Sequence, residues 1–201
     1  EHLSLSFRMT HDDEARHHVV SRCPETGEEI AAFYRLPHGS EDLLMRREAI
    51  YEVSRYAEGY NPFIKEIGTD AIFALRMIAP QVDRKYGTGY AERTKAYHHY
   101  AQSSDLALAG AVTDPKGDRS LRPHQQPVPD VFLRIVEKRE DGIVVEGAKC
   151  HITSAPFANE LLVLPTRNMT EQDAEYAVAF AIPVSTEGIT LIANPEHHNE
   201  D

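Results

Sequence analysis

The residues of this chain best suited to chemistry form two short runs in its second half. Thr113-Asp114-Pro115-Lys116-Gly117-Asp118-Arg119 joins a turn-forming Asp-Pro step to a glycine and a high density of charge. Gly117 permits positive φ or a close approach of backbone to a ligand. A loop built this way can aim successive backbone N–H groups at an anion, and Thr113 and Arg119 add side-chain donors. Most Asp-Pro…Gly loops are plain turns, so the heptapeptide alone does not separate the two readings. The second run, Gly147-Ala148-Lys149-Cys150-His151-Ile152-Thr153-Ser154-Ala155, follows the β-rich Ile143-Val144-Val145-Glu146. It supplies a hydroxyl, an imidazole, an ammonium and a thiol within a few residues.

Periodicity indicates which elements must hold these runs. Pro24-Glu25-Thr26-Gly27 reads as a turn between two short apolar stretches. Ser40, with Glu41 and Asp42 behind it, predicts a capped helix start. Leu43, Leu44, Ala49, Ile50 and Val53 then recur at helical spacing until Gly59 and Pro62 stop the helix. A second helix is predicted from about Thr69 to Tyr86, kinked or split at Pro80. A third runs from about Ala91 to Ser103. After Asp105 the period changes. Leu106 to Val112 leads into the first run, and Arg122 to Pro129 is a proline-rich loop. Val131 to Lys138 and Gly142 to Thr153 are strands joined by an Arg139–Gly142 hairpin turn. Glu160 to Pro165, Tyr176 to Pro183 and Ile189 to Ala193 are further strands, with Thr170 to Ala174 a polar link. The expectation is an α+β chain: an N-terminal helical bundle over 1–104, then an antiparallel β domain over 105–201.

Composition narrows the functions. A net charge of −11 over 201 residues argues against a nucleic-acid or membrane-surface partner, because both need a basic face. The acidity is read as a solvated, cytoplasmic surface. Cys23 and Cys150 are far apart and form no C-x-x-C pair, so neither a disulfide framework nor a zinc site is expected. His17 and His18 are adjacent and do not share a helix face, so paired metal ligation is not expected. No apolar run approaches the ~20 residues of a membrane span. Glu rather than Met at position 1 sets the expectation that the chain begins inside a longer protein.

The two runs, in this order, resemble the flavin-binding signatures of the acyl-CoA dehydrogenase fold. Within that fold the chain resembles the 4-hydroxyphenylacetate 3-hydroxylase and 4-hydroxybutyryl-CoA dehydratase family. Val112 to Arg119, Arg134 to Val145 and Leu164-Pro165-Thr166 are most similar to the dehydratase branch, and the resemblance extends from about Thr26 to about Ile192. It implies a β domain of barrel or sandwich type, and a C-terminal helical domain that this chain lacks. FAD would be held by Val112, Thr113, Asp114, Pro115, Lys116, Gly117, Asp118 and Arg119, together with His151, Ile152 and Thr153. His151 becomes the candidate catalytic residue, against the alternative of a satisfied core histidine. Lys149 is expected to be a solvated or structural partner and Cys150 a small core residue. The resemblance further implies a homo-oligomer, a homotetramer at full length, acting on a small molecule.

The chain departs from both branches. Where the dehydratases carry two iron–sulfur cysteines, ahead of the matching Gly68-Thr69-Asp70-Ala71, it has Pro62 and Glu66, and no cluster is expected. Where the hydroxylases carry a histidine over the phenol it has Gly110, and their Arg-x-Pro-Asp-Tyr is replaced by Gly59-Tyr60-Asn61-Pro62-Phe63. His98 and His99, nearby, are expected at the surface. Three readings follow: a flavoenzyme acting on an acyl-CoA or similar acid without the cluster, the oxygenase component of a monooxygenase receiving reduced FAD or FMN from a reductase, and a non-catalytic paralogue. For the flavin readings, Thr113, Arg119 and Thr153 are expected to converge on one cleft. For a truncated chain, apolar residues are expected on the surface.

Overall fold

In a computed structural model of the chain, residues 8–59 and 65–193 are described. A short helix, α1 (Arg16–Val19), runs into the hairpin β1 (Val20–Arg22) and β2 (Glu29–Ala31). The strands are antiparallel, with Val20 opposite Ala31 and Arg22 opposite Glu29. The Pro24–Gly27 turn is closed by Gly27 N–H donating to Cys23 O at 2.8 Å.

Three long helices follow: α2 (Ser40–Tyr56), α3 (Glu66–Tyr86) and α4 (Tyr90–Ser103). Gly39, not Ser40, occupies the cap position of α2, and no side chain caps there. Asp42 reaches back instead and accepts the His38 N–H at 2.9 Å. That hydrogen bond, with Arg35 beside it, holds the Asp42 carboxyl below the usual carboxylate range. Helix α3 begins before Thr69 because Thr69 is fully buried, its hydroxyl donating to Lys65 O at 2.7 Å. Arg46 of α2 donates to Glu66 O and to the same hydroxyl, each at 2.9 Å. Pro80 lies inside α3 without ending it. Asp83 accepts from Tyr90 N and Ala91 N at 2.8 Å, capping α4 from the end of α3.

The β region differs from the expected antiparallel barrel or sandwich. Among the described residues there are three small sheets and no closed barrel. Strands β3 (Leu108–Ala111), β6 (Glu160–Val163) and β7 (Phe180–Pro183) form one of them, in the order β3-β6-β7. The β3–β6 pair is parallel, with Leu108 opposite Glu160 and Ala111 opposite Val163. Strands β4 (Arg134–Lys138) and β5 (Ile143–Glu146) form a separate antiparallel hairpin. Its Arg139 N–H donates to Gly142 O at 2.9 Å across the expected turn. Strands this short, split by proline-rich segments, cannot wrap into a continuous sheet. A parallel pair needs a long crossover, and both chemical runs lie on it. The expected strands at Gly147–Thr153 and Ile189–Ala193 are irregular, and Ile192 is almost fully exposed. Thr170–Ala174, expected to be a link, lies largely in a 3-10 helix, Glu171–Tyr176.

One apolar cluster spans both halves, with Cys23, Ile30, Tyr34, Ile72 and Phe73 on one side and Leu106, Leu108 and Leu162 on the other. Tyr34 donates its hydroxyl to Leu106 O at 2.6 Å. Tyr97 of α4 donates to the buried Glu160 of β6 at 2.8 Å. His98 is not at the surface: it is 5% exposed, its Nε2 lies 2.8 Å from Tyr34 O, and its Nδ1 lies 3.3 Å from Arg76. Burial lowers its pKa. His99 is exposed as expected. Large apolar side chains do stand in solvent, among them Leu43, Leu44 and Met45 on α2 and Met77 and Ile78 on α3. Among the described residues no helix is long and apolar enough to cross a membrane.

Candidate functional site

The parallel pairing of β3 with β6 sends the chain from Ala111 straight into the first chemical run. Lys149 fastens that run to the second. Its ammonium donates to Asp114 Oδ1 at 2.6 Å and to Val112 O and Leu164 O at 2.9 Å. An ammonium has three N–H groups, and all three are used. The side chains of Lys149 and Asp114 are 10% and 9% exposed, so this is a buried ion pair in which the hydrogen-bonding capacity of the ammonium is met. Of the two expectations for Lys149, the structural partner is the one observed. Cys150 adds two contacts: its N–H donates to Thr113 O at 2.9 Å, and its thiol to Asp114 O at 3.2 Å. It is half-buried rather than a core residue. Thr166 also donates to Val112 O. Residues 112–114 and 149–150 are thereby brought together although a hairpin separates them in sequence.

Glycine is required on both sides of this seam. Gly117 has φ +45°, and a Cβ there would stand 2.9 Å from Gln126 Oε1 and 3.1 Å from Phe132. Gly147 has φ +129°, and its Cβ would lie 2.5 Å from Leu133 Cα and Phe132 O, which is backbone and cannot move aside cheaply.

Of the expected flavin contacts, Val112, Asp114 and Pro115 are half-buried, with Asp114 committed to Lys149. Thr113, Lys116, Gly117, Asp118 and Arg119 are exposed. Asp118 Oδ1 accepts the Ser120 hydroxyl and N–H at 2.6 and 2.9 Å, which holds its carboxyl below the ordinary range. Both acids that could have neutralised Arg119 across its own turn are therefore engaged elsewhere. Among the described residues Arg119 and Lys116 have no ion pair. His151 and Thr153 are exposed, while Ile152 is half-buried against the cluster of Ala109, Ala111, Ala155, Leu161 and Val163. The segment His151–Thr153 is not a strand. His151 has φ +56° and Ser154 φ +67°, left-handed values that cost a non-glycine residue about 1 kcal/mol or more. His151 is thus a strained, exposed residue and not a satisfied core histidine.

A cavity of about 350 Å3 is lined by Cys23, Tyr34, Arg76, Lys95 and His98, between the β1–β2 hairpin and α4, away from the paired runs. Around the paired runs, Thr113, Lys116, Arg119, His151 and Thr153 are exposed.

Residues absent from the sequence-based reading hold the loop. Gln126, 6% exposed, accepts the Asp118 N–H on Oε1 at 3.0 Å and donates Nε2–H to Asp118 O at 2.8 Å. Asp173, whose side chain is fully buried, accepts from Thr170 N at 3.0 Å, His124 Nδ1 at 2.7 Å and Arg122 Nε at 3.1 Å. Burial alone would raise the Asp173 carboxyl, but these donors outweigh it and hold it far below the usual range. The sequence did carry one signal: Thr170-x-x-Asp173 has the spacing of a reciprocal cap, and the structure forms it.

With the geometry established, comparison with known proteins defines the class. The family model for the 4-hydroxyphenylacetate 3-hydroxylase N terminal matches residues 1–201, and the chain belongs to that family. Among curated relatives it is 38% identical over 190 residues to a 4-hydroxybutyryl-CoA dehydratase/vinylacetyl-CoA-Delta-isomerase of Clostridium aminobutyricum, covering 94% of this chain and 38% of the relative. It is 31% identical over 176 residues to a 4-hydroxyphenylacetate 3-monooxygenase oxygenase component of Geobacillus sp., covering 87% and 35%. Among solved structures, an oxygen-tolerant archaeal 4-hydroxybutyryl-CoA dehydratase from N. maritimus superposes with a TM-score of 0.84 at 29% identity, covering 93% of this chain and 37% of that one. The oxygenase component of 4-hydroxyphenylacetate 3-monooxygenase complexed with FAD gives 0.74 at 28% identity, covering 93% and 37%. The chain therefore spans under two-fifths of the length of these relatives.

Proposed function

We propose that this chain is the N-terminal part of an FAD-dependent enzyme acting on an acyl-CoA or similar activated acid, with residues 112–119 and 147–153 holding the flavin. The observation that carries this reading is the seam itself. Lys149 and Cys150 lock the two runs together through largely buried contacts, yet the side chains of Thr113, Lys116, Arg119, His151 and Thr153 are left beside it, exposed and without side-chain partners among the described residues. A structural turn would neutralise its cations internally. Here Asp114 is paired with Lys149, and Asp118 accepts from Ser120 and forms no ion pair with Lys116 or Arg119, which fits a face prepared for an anionic group such as a pyrophosphate.

Lys116 and Arg119 would bind the pyrophosphate, and the Thr153 hydroxyl would meet the ring edge. A bound flavin supplies an electron-accepting ring for C–C bond oxidation or double-bond isomerisation. His151, with an exposed imidazole on a strained backbone, is the group suited to move a proton at the substrate carbon. This reading includes no iron–sulfur cluster. Pro62 lies outside the described residues, and Glu66 is buried with its carboxylate accepting the Lys65 N–H at 3.0 Å. Substrate would be completed by chain beyond these residues, and the full-length protein would be a cytoplasmic homo-oligomer.

The oxygenase relatives support a second reading, a monooxygenase component receiving reduced flavin from a reductase. Against it stands Gly110, which replaces the histidine of that branch and whose Cβ would lie 3.0 Å from Ile67 Cγ2, so that a larger side chain there requires Ile67 to shift.

The test is an FAD titration of the full-length protein. Thr153→Ala and Arg119→Ala are each expected to weaken binding about tenfold, the scale of one lost hydrogen bond for Thr153 and of one lost charge-assisted contact for Arg119. Unchanged affinity in both removes the basis for a flavin site here. Incubation with acyl-CoAs or phenols, with and without reduced flavin and oxygen, separates the first two readings. Neither activity and no flavin uptake would leave the non-catalytic paralogue.

A further inference from the structure

Loops that bind anions through backbone N–H groups must hold those groups in place before the ligand arrives, because ordering them afterwards subtracts from affinity. Exposed, glycine-containing and dense in charge, residues 116–119 have little reason of their own to be ordered. What orders them comes from behind. The Gln126 carboxamide is buried and meets both hydrogen-bonding groups of the Asp118 residue, accepting its N–H at 3.0 Å and donating to its carbonyl at 2.8 Å. This is the pattern a neighbouring β-strand would present, supplied by one side chain where no strand exists.

Gln126 is in turn fixed. It follows the 3-10 turn Pro123–Gln125, whose start is held by the Gln125 side chain accepting Arg122 N–H at 2.9 Å. Arg122 and His124 both bind the fully buried Asp173 carboxylate, and Arg122 also reaches Asn168 O at 3.0 Å. The sequence of support therefore runs from Asp173 through the 122–125 turn to Gln126, and from Gln126 to the Gly117–Asp118 step. On the other side the loop is held by Lys149 and Cys150. The Gly117 position closes the fit, since any Cβ there would collide with the Gln126 carboxamide oxygen.

We propose that Gln126 is the positioning residue of the cofactor loop: its carboxamide, anchored through the Asp173 cluster, pre-forms residues 116–119 so that Lys116, Arg119 and the loop N–H groups meet an anionic cofactor without reordering. This rests on the flavin reading above for the identity of the ligand, but not for the clamp itself. Gln126 does not touch the ligand; it acts through Asp118.

The two are separated by experiments on the full-length protein. Trypsin cleaves after Lys116 and Arg119, so cleavage of the flavin-free protein at these bonds, resolved by mass spectrometry, reads loop order directly. Cleavage after Arg139, at the tip of the β4–β5 hairpin, is the internal control. Gln126→Ala is expected to raise cleavage at Lys116 and Arg119 about tenfold, as loss of two hydrogen bonds to one residue implies, with the Arg139 rate unchanged. FAD affinity should fall by a similar factor. Gln126→Glu gives a readout that general destabilisation would not. Ionised, it keeps an acceptor but has no donor for Asp118 O; protonated, it is isosteric with the carboxamide. Its FAD affinity should be low near about pH 8 and recover towards wild type near about pH 5.5, where a buried carboxyl with a raised pKa is protonated; the wild type should change much less. Unchanged trypsin cleavage in Gln126→Ala overturns the clamp, whatever the flavin result. Loosened loops with unchanged FAD affinity, or no recovery of Gln126→Glu in acid, overturn the positioning role. A wild-type protein that takes up no FAD defeats the flavin reading instead, and leaves the trypsin comparison to judge the clamp.

Discussion

At the scale of single residues, two buried charges define what this region tolerates. Lys149 and Asp114 neutralise one another beneath the loop, and among the described residues Asp114 has no other ion pair. Lys149→Met should cost about 3–5 kcal/mol, because it leaves an uncompensated buried carboxylate; chemical denaturation of the full-length protein would measure it. A loss under about 1 kcal/mol would mean that solvent reaches Asp114. Asp173 makes a pH-dependent contribution whose sign is fixed. Its folded carboxyl titrates far below an unfolded aspartate, so its stabilisation is fully present above the unfolded pKa of about 4 and is lost as pH falls from there towards the folded value. Asp173→Asn should therefore lower stability at neutral pH and flatten the acid limb of the stability curve between about pH 4 and 2. An acid limb identical to wild type would show that other carboxylates dominate it.

At the scale of elements, the argument concerns close approach. The chain leaving β5 passes against the Phe132–Leu133 backbone at Gly147, with no side chain between that could give way. Gly147→Ala should destabilise by at least about 2 kcal/mol, from left-handed strain and overlap together, seen as a lowered urea midpoint. A substitution costing less than about 0.5 kcal/mol would mean that the approach is looser than described. Helix boundaries were largely legible in the sequence, because capping, periodicity and glycine stops are local. The helix expected behind Ser40 and ahead of Gly59 runs Ser40–Tyr56, its cap one residue earlier than expected, and the expected end at Tyr86 matches the structure. Helix α3 began earlier than expected because its first turn is stabilised by Arg46 from another helix, a contact no local pattern encodes.

At the scale of the whole molecule, the helical and β regions share one core and are joined by hydrogen bonds across it. Tyr97 to Glu160 is the clearest of these, since the carboxylate is buried and its other contact, Tyr100, is longer at 3.3 Å. Tyr97→Phe should lower stability by about 1.5–3 kcal/mol, the range for a hydrogen bond to a charged group. A single cooperative melting transition should survive in the variant. Two separated transitions would instead mean that the helices and the β region unfold independently.

The sequence by itself determined the α+β character, the three long helices, the Arg139–Gly142 hairpin and the two runs that carry the candidate chemistry. Each of these depends on residues near one another in the chain, where side-chain period, turn chemistry and motif spacing act directly. Only the tertiary structure decided the rest. Strand periodicity marks a buried face but neither partner nor direction, so the parallel β3–β6 pair and the absence of a closed barrel among the described residues were not legible. His98 looked like a surface residue because its burial depends on Tyr34 and Arg76 arriving from distant segments. His151 looked like a strand residue because β propensity does not anticipate a left-handed backbone forced by its surroundings. Gln126 and Asp173 passed as loop polars for the same reason: a buried side chain acquires its role from the groups that surround it, and folding brings those together.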